Sequence, residues 1–201
     1  MLAPWLIEGR REAGCDEAGR GPLAGPVVAA AVVLPKGYRN PLLNDSKQLT
    51  ARQREALREE VERDCQWAVA VVEADEVDRL NILHASTHAM CLAVQQLEPR
   101  PEFLLIDGNR FYNETELPYQ CFVKGDALYM SIAAASILAK THRDDIMQRL
   151  HQEYPHYGWD HNMGYPTAEH YRAIEQHGPS PYHRRSFTLY KQHTLFDTVN
   201  N

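Results

Sequence analysis

Acidic residues close three separate apolar runs of this chain, and each run has the character of a buried strand. Asp16 and Glu17 precede a glycine-rich turn, Asp107 follows a Leu-Leu-Ile run, and Asp126 lies just beyond Val123. Burying a carboxylate without a partner is costly, so three such runs indicate a shared site that a cation fills. The fold must therefore bring the three strand ends together.

The donor chemistry of this site favours a hard divalent ion. Carboxylate oxygens without a cluster of cysteine or histidine ligands suit Mg²⁺ or Mn²⁺ better than zinc. Two such ions can bind the attacking and the leaving oxygen of a phosphodiester. The acids alone therefore lead to the hypothesis of a metal-dependent nuclease.

Composition bounds the chain to one soluble domain. Its 201 residues suffice for one substantial core, and 44% hydrophobic and 24% charged residues are ordinary for a globular protein. The longest apolar stretch, residues 22–34, is interrupted by Gly25 and Pro26 and falls short of the ~18 residues of a membrane span. The first residues lack the features of a signal peptide, and the four cysteines show no CxxC spacing. We therefore expect reduced thiols in a cytoplasmic protein.

The charge of the chain leaves a nucleic-acid partner open. A formal net charge of -6 argues weakly against nucleic-acid binding. Part of the acid excess belongs to the expected cation site, however, where bound ions would cancel it. Eight of the ten histidines lie beyond residue 140, near a basic run at 183–185, so a local phosphate-binding face is compatible with the sequence.

Hydrophobic periodicity and capping signals predict strands alternating with helices. Thr50 with Gln53 forms a capping box, and Thr167 caps a last helix that ends at a glycine and a proline. We predict strands at 10–18, 26–34, 67–72, 103–107 and 120–123, and helices at 50–64, 83–97, 129–154 and 167–177. The expected fold class is α/β, one domain over residues 1–201 with about five strands and a helical C-terminal extension over about residues 155–201.

The glycine turn from Gly19 to Gly25 has two interpretations. It superficially resembles a dinucleotide-binding loop, but that motif requires a following helix, and here a β-branched run follows. A glycine turn with exposed N–H groups can still approach a sugar-phosphate closely; the alternative is a plain hairpin turn.

The two acids before this turn can share one site only under a condition on the strand that carries them. Neighbours in a regular strand point to opposite faces, so Asp16 and Glu17 reach one site only if the strand ends or bulges there.

Four other motifs each have a functional and a structural interpretation. Asp126 could bind the cation or cap the helix that follows. Lys47 lies in a turn, where a lysine is usually just solvated. Tyr165 could pack as a hydrophobic staple at a helix entrance or stack on a sugar or base. The run with Arg184 and Arg185 could be a solvated basic turn or a phosphate clamp.

Together these residues resemble the motifs of bacterial ribonuclease HII, the type 2 ribonuclease H. One short motif would be weak, but an ordered set of them is specific. The resemblance implies the ribonuclease H-like fold, with a mixed five-stranded sheet flanked by helices. It also implies endonucleolytic cleavage of RNA in RNA–DNA hybrids and at single ribonucleotides in duplex DNA. The matching segments lie in the family's order at 16–21, 44–47, 81–85, 106–109, 124–126, 133–140 with 143–144, 164–167 and 183–187.

The resemblance also implies a role for each site residue. The catalytic acids, which would hold two ions of Mg²⁺ or Mn²⁺ in the substrate complex, would be Asp16, Glu17, Asp107 and Asp126. The substrate-binding residues would be Gly19, Arg20 and Gly21 at the ribose 2′-hydroxyl, Tyr165 at the following sugar, and Lys47, Arg184 and Arg185 at phosphates. Cleavage would leave 3′-hydroxyl and 5′-phosphate ends.

Two other classes of protein remain as alternatives. Another nuclease or a recombinase of the same fold would use similar acids without needing a 2′-hydroxyl, and a binding protein without activity would not need the acids. The glycine turn and Tyr165 favour the ribonuclease. The expected partners are RNA–DNA hybrid duplex and ribonucleotide-containing DNA. We expect a monomer with no obligate protein partner and no membrane association.

Overall fold

The computed structural model describes residues 2–43 and 49–190. In this part of the chain, five strands form one mixed sheet in the order β3-β2-β1-β4-β5. The first three strands along the chain pair antiparallel, whereas β4 pairs parallel with both β1 and β5. This confirms the predicted mixed sheet. The strands are β1 Glu12–Ala18, β2 Val27–Val33, β3 Gln66–Val72, β4 Phe103–Asp107 and β5 Tyr119–Phe122.

Helices cover both faces of the sheet. They are α1 Ala51–Asp64, α2 Ala74–Leu80, α3 Ile82–Gln95, α4 Met130–Glu153, α5 Trp159–Asn162 and α6 Ala168–His177, with short 3-10 turns at Gly125–Ala127 and Pro155–Tyr157. The interior strand β2 is buried along its whole length because α3 packs on one face and α4 on the other. The helix α4 approaches β1 closely at Gly14, where a Cβ atom would lie 2.2 Å from the carbonyl carbon of Ser131. Glycine at this position therefore allows the two backbones to pack directly together.

Most helix boundaries follow the capping signals of the sequence. The capping box at Thr50 and the cap at Thr167 are confirmed. The helix α2 was not predicted, since it has only seven residues and its N-cap, Glu73, makes no side-chain capping bond. Asn81, with φ of +65°, ends α2 and caps α3 by accepting two backbone N–H groups.

The segment 155–190 packs against α4 and against the loop that joins β1 to β2. An apolar cluster of this segment contains the buried Trp159 and Ile174 and extends to Leu23 and Ala24 of that loop. The predicted helical character is present in α5 and α6, while the division of the chain near residue 155 stays a prediction. No helix in residues 2–43 and 49–190 is long and apolar enough to cross a membrane.

Candidate active site

Strand register brings the predicted acids to one edge of the sheet. The parallel pair β1 and β4 aligns Cys15 with Ile106, so Asp16 and Asp107 follow at the same level. The pair β4 and β5 aligns Asp107 with Phe122, and the chain reaches Asp126 just beyond the end of β5. The carboxyl ends of three adjacent parallel strands therefore carry these acids at the same edge of the sheet.

Asp16 and Glu17 reach this edge on different sides of the sheet. Gly14 faces α4, so the alternation of a strand turns Asp16 to the same side, where its carboxylate accepts a hydrogen bond from the Ser136 hydroxyl. The strand continues in regular register to Ala18, without the bulge considered above, so Glu17 points the other way and pairs with Arg20 at 3.2 Å. Since the strand ends one residue later, both carboxylates still interact electrostatically with Asp107.

Asp107 connects the acids of β1 to the turn that carries Asp126. Its Oδ1 accepts a hydrogen bond from the backbone N–H of Gly125 at 2.7 Å. Asp126 is buried in the 3-10 turn that follows, and the N-cap of α4 is Tyr129 rather than an acid. Asp126 therefore does not occupy the N-cap position of α4.

The close approach of these acids perturbs their protonation. Burial raises the pKa of Asp16 well above its usual range, and repulsion from Glu17 and Asp107 raises it further. Burial also raises the pKa of Glu17, against the opposing effect of Arg20. Both shifts report an excess of negative charge in a poorly solvated volume, which a bound cation would relieve.

The donor set fits a hard divalent ion. Four carboxylates with no cysteine or histidine among them supply the oxygen ligands that Mg²⁺ and Mn²⁺ prefer. Among the described residues, no three acidic, histidine or cysteine side chains already converge as a group able to hold a metal ion. Glu17 is turned to Arg20, so ion binding requires this carboxylate to leave its present partner. The N–H of Gly125 occupies one site on Oδ1 of Asp107, and this hydrogen bond is compatible with a cation at the same carboxylate.

The residues from 19 to 26, which we call the glycine loop, lie beside the acids. Arg20 connects the two through its ion pair with Glu17. Tyr165 lies against the next residue of the loop, since a Cβ atom on Gly21 would be 3.4 Å from its ring. The ring is 45% exposed and lies outside the apolar cluster beneath α6. This position favours a ring presented to a ligand over a hydrophobic staple.

The prediction that Arg184 contacts phosphate is wrong. Its side chain is fully buried, and the guanidinium donates hydrogen bonds to the carbonyls of Gly19, Arg20, Pro22 and Gly25. Burial, followed by the nearby Arg143, lowers the pKa of Arg184 to about 9. The carbonyls of the glycine loop turn inward and need donors, and Arg184 supplies them.

Arg185 remains available to a phosphate. Its side chain is exposed, whereas its backbone N–H is held by the Asp78 carboxylate at 2.7 Å. Asp78 also accepts the N–H of Ser186, so the turn that presents Arg185 is anchored. Lys47, the remaining predicted phosphate contact, lies outside the described residues.

Comparison with known proteins agrees with this geometry. The family model for ribonuclease HII matches residues 13–190, a range that includes every described site residue. The chain belongs to the ribonuclease HII family. A ribonuclease HII from Bacteroides fragilis is 61% identical over 190 residues, covering 94% of each chain.

Two solved structures share the fold of this ribonuclease HII. The ribonuclease H2 of Pyrococcus horikoshii matches with a TM-score of 0.74 and 29% identity, over 89% of this chain and 94% of that one. The ribonuclease HII of Archaeoglobus fulgidus, solved in complex with PCNA, matches with a TM-score of 0.75 and 27% identity, over 93% and 99%. The predicted ribonuclease H-like fold is confirmed.

Family membership also establishes the class of reaction. This ribonuclease HII is an endoribonuclease, a phosphodiester hydrolase that acts on RNA–DNA hybrids. Divalent-metal dependence is typical of the family, in agreement with the oxygen donors of the site. The alternative of a binding protein without activity is therefore wrong.

Three supporting residues of this ribonuclease HII were not assigned a role from the sequence. They are Ser136, which donates to Asp16, Arg143, which lies under the glycine loop, and His170, which binds the carbonyl of Tyr165. The spacing of Ser136, Ala139 and Arg143 puts all three on one face of α4. Arg143 lies among the α4 residues that face the protein interior, and this position is the sequence signal that could have identified it.

Proposed function

We propose that this ribonuclease HII cuts on the 5′ side of single ribonucleotides embedded in duplex DNA, as well as within longer RNA–DNA hybrids. The observation that carries the proposal is the continuity of the site. Asp107 interacts with Glu17, Glu17 pairs with Arg20 of the glycine loop, and the neighbouring Gly21 lies against Tyr165. A reaction centre, a backbone surface for a ribose and an aromatic ring thus follow one another along one face.

Asp16, Glu17, Asp107 and Asp126 are the proposed ligands of Mg²⁺ or Mn²⁺. Two such ions, when bound, would lower the pKa of a water and stabilise the departing 3′-oxygen. The protein itself holds the acids in place through the donors Ser136 and Gly125. Cleavage of the P–O3′ bond leaves a 3′-hydroxyl and a 5′-phosphate.

Recognition of the ribose is assigned to the backbone of Gly19, Arg20 and Gly21. Glycine lets a sugar approach the chain closely because no Cβ intervenes. The 2′-hydroxyl is the group by which a protein distinguishes RNA from DNA at a given position. The Tyr165 ring would stack on the sugar that follows, and Arg185 and Lys47 remain candidates for phosphate contacts.

The proposal is tested with three end-labelled duplexes of one sequence. One is all DNA, one carries a single ribonucleotide, and one pairs an RNA strand with DNA; each is incubated with Mg²⁺, Mn²⁺ or a chelator. We expect a single cut 5′ of the ribonucleotide, distributed cuts in the hybrid, and none in the all-DNA duplex or with the chelator. Equal cutting of the all-DNA duplex would instead support the alternative of a nuclease that does not require a 2′-hydroxyl.

A further inference from the structure

Two guanidinium ions are buried beneath the glycine loop, and both bind backbone carbonyls. Arg143 of α4 donates to the carbonyls of Pro26, Ala24 and Met163 at 3.0, 3.1 and 3.0 Å. Arg184 donates five hydrogen bonds to four further loop carbonyls, of which the shortest is 2.7 Å to Gly19. Burying two cations this way is costly, and only the fork of an arginine supplies enough donors for so many carbonyls.

The direction of these carbonyls determines the direction of the neighbouring amides. In a trans peptide the C=O of one residue and the N–H of the next point to opposite sides. Arg184 holds the carbonyls of Gly19 and Arg20, so the N–H groups of Arg20 and Gly21 point away from the buried guanidinium. These are amides of the segment proposed to contact the ribose.

Arg143 connects the same loop to the segment that carries Tyr165. Its guanidinium binds Ala24 and Pro26 in the loop and Met163 on the other side. The N–H of Leu23 donates to the carbonyl of Gly164 at 2.8 Å, which adds a second link. Loop and ring are therefore held in one relative position.

Little space is left for these groups to shift. Gly19 has φ of +96°, and a Cβ atom on it would lie 2.2 Å from Nε of Arg143. A Cβ atom on Gly164 would lie 2.6 Å from the carbonyl oxygen of Ala24. The glycines and the arginines are thus packed as one unit.

We propose that Arg143 and Arg184 are positioning residues for recognition of the ribonucleotide. Arg184 aims the N–H groups of Arg20 and Gly21 outward to where a 2′-hydroxyl binds, and Arg143 sets the distance from that point to the Tyr165 ring. Neither arginine touches the substrate. This inference rests on the proposed function, since it explains how that function distinguishes ribose from deoxyribose.

The test compares the affinities of one protein for two duplexes. Binding is measured with Ca²⁺ in place of Mg²⁺, on a duplex with a single ribonucleotide and on the all-DNA duplex of the same sequence. The ratio of the two dissociation constants reports ribose recognition alone. Arg184→Lys keeps the charge but offers fewer donors in a different geometry. We expect it to reduce the ratio roughly tenfold, the value of one lost hydrogen bond, while affinity for all-DNA changes little.

Arg58→Lys is the matched control. Arg58 makes structural ion pairs with Glu62 and Asp145, and neither partner belongs to the glycine loop. Its substitution affects stability without reaching the site, so the ratio should equal that of the parent. A folded Arg184→Lys protein with the parent's ratio would overturn the inference.

A second measurement uses the unaltered protein, in case the variant does not fold. The amide NMR signals of Arg20 and Gly21 should shift on addition of the single-ribonucleotide duplex and remain in place with the all-DNA duplex. Unchanged signals with both, in a protein that prefers the ribonucleotide duplex, would also overturn the inference. If the parent itself shows no preference for the ribonucleotide, the proposed function fails instead.

Discussion

Asp107 is the residue through which the four acids are linked. It interacts electrostatically with Asp16 and Glu17, and it accepts the N–H of Gly125 in the turn that carries Asp126. An asparagine at this position can still accept that N–H through its Oδ1, but it cannot contribute negative charge to a cation site.

Asp107→Asn should therefore leave a folded protein that binds hybrid duplex and barely cuts it. Repulsion at Asp16 and Glu17 falls, so the free energy of unfolding without metal should not decrease. Cleavage should fall by roughly a hundredfold or more, as for loss of a group that stabilises the transition state. Thermal unfolding, hybrid binding and single-turnover cleavage measure the three quantities. Asp145→Asn, an exposed acid on α4, serves as control; an unfolded Asp107 variant or one with parental rate contradicts the assignment.

The choice of ion provides a second check on these carboxylates. With Ca²⁺ instead of Mg²⁺, we expect substrate binding without efficient cleavage, because Ca²⁺ is larger and tolerates irregular coordination. Binding and cleavage are measured side by side at equal ion concentration. Comparable rates with the two ions would argue against a mechanism that depends on strict ligand geometry.

Tyr165 is the residue whose functional and structural interpretations differ most in their consequences. If its ring stacks on the sugar after the ribonucleotide, Tyr165→Ala should lose roughly 1–3 kcal/mol, about ten- to a hundredfold in cleavage at a single ribonucleotide. Tyr165→Phe keeps the ring and should lose less. Tyr112→Ala removes a ring of similar exposure elsewhere on the surface and should act like the parent. Single-turnover rates are compared at equal folded fraction, and parental cleavage by Tyr165→Ala would return this residue to a structural role.

At the scale of elements, a chain of hydrogen bonds joins α5, α6 and the C-terminal turn. The N–H of Ser180 donates to Nδ1 of His183 at 2.9 Å, so the proton of His183 lies on Nε2 and is donated to Nε2 of His170. Trp159 donates to the same atom, so His170 carries its own proton on Nδ1 and donates it to the carbonyl of Tyr165. Every donor has an acceptor only while both imidazoles are neutral.

This chain should make the fold sensitive to acid. Burial, followed by repulsion from His170, lowers the pKa of His183 from 6.5 to about 3, and burial lowers that of His170. Between pH 6.5 and about 3, His183 takes up a proton in the unfolded chain but not in the folded protein. The free energy of unfolding therefore falls as the pH falls through this range. The slope is roughly 1.4 kcal/mol per pH unit for each such group.

His183→Gln measures this contribution, since glutamine does not titrate. Free energies of unfolding are determined by denaturant titration of parent and variant from pH 7.5 to 4.5. Above pH 6.5 we expect the free energy of unfolding of the variant to differ from that of the parent by a constant amount, and below pH 6.5 we expect this difference to shrink. The carboxylates of the site are common to both proteins and cancel in the comparison. Parallel curves over the whole range would show that His183 does not hold a depressed pKa.

At the scale of the whole molecule, an acidic protein must attract an acidic substrate. The net charge is -6, yet part of this charge lies in the four acids that are the proposed cation ligands. The exposed Arg185, held in its turn by Asp78, is positioned to contribute local attraction to phosphate.

Arg185→Ala should weaken binding to hybrid and to plain duplex alike and lower the slope of affinity against salt by about 1. The rate of cleavage at saturating substrate should change little, because the effect is on affinity. Arg63→Ala is the control, an exposed arginine on α1 that pairs with Asp64. Dissociation constants at four salt concentrations give the slopes. A parental slope for Arg185→Ala would mean that this side chain is merely solvated.

Local signals were sufficient for most of the secondary structure. Caps such as Thr50 and Thr167 and the apolar runs before Asp107 act over a few neighbouring residues, so they can be recognised without the fold. The short α2 has neither a capping side chain nor the length for a clear period, and it was missed. The acids at the strand ends also predicted a shared cation site, because burying each carboxylate without a partner would be too costly.

The tertiary structure alone decided the environments of individual side chains. Arg184 and Arg185 are neighbours of one type, yet one is fully buried under the glycine loop and the other is exposed. The carbonyl of Gly25, which Arg184 binds, is 159 residues away in the chain. By itself the sequence determined which elements form, which residues are acidic and where they end a strand, because those properties are local. Whether a guanidinium binds phosphate or supports a loop depends on which distant carbonyls the fold brings to it.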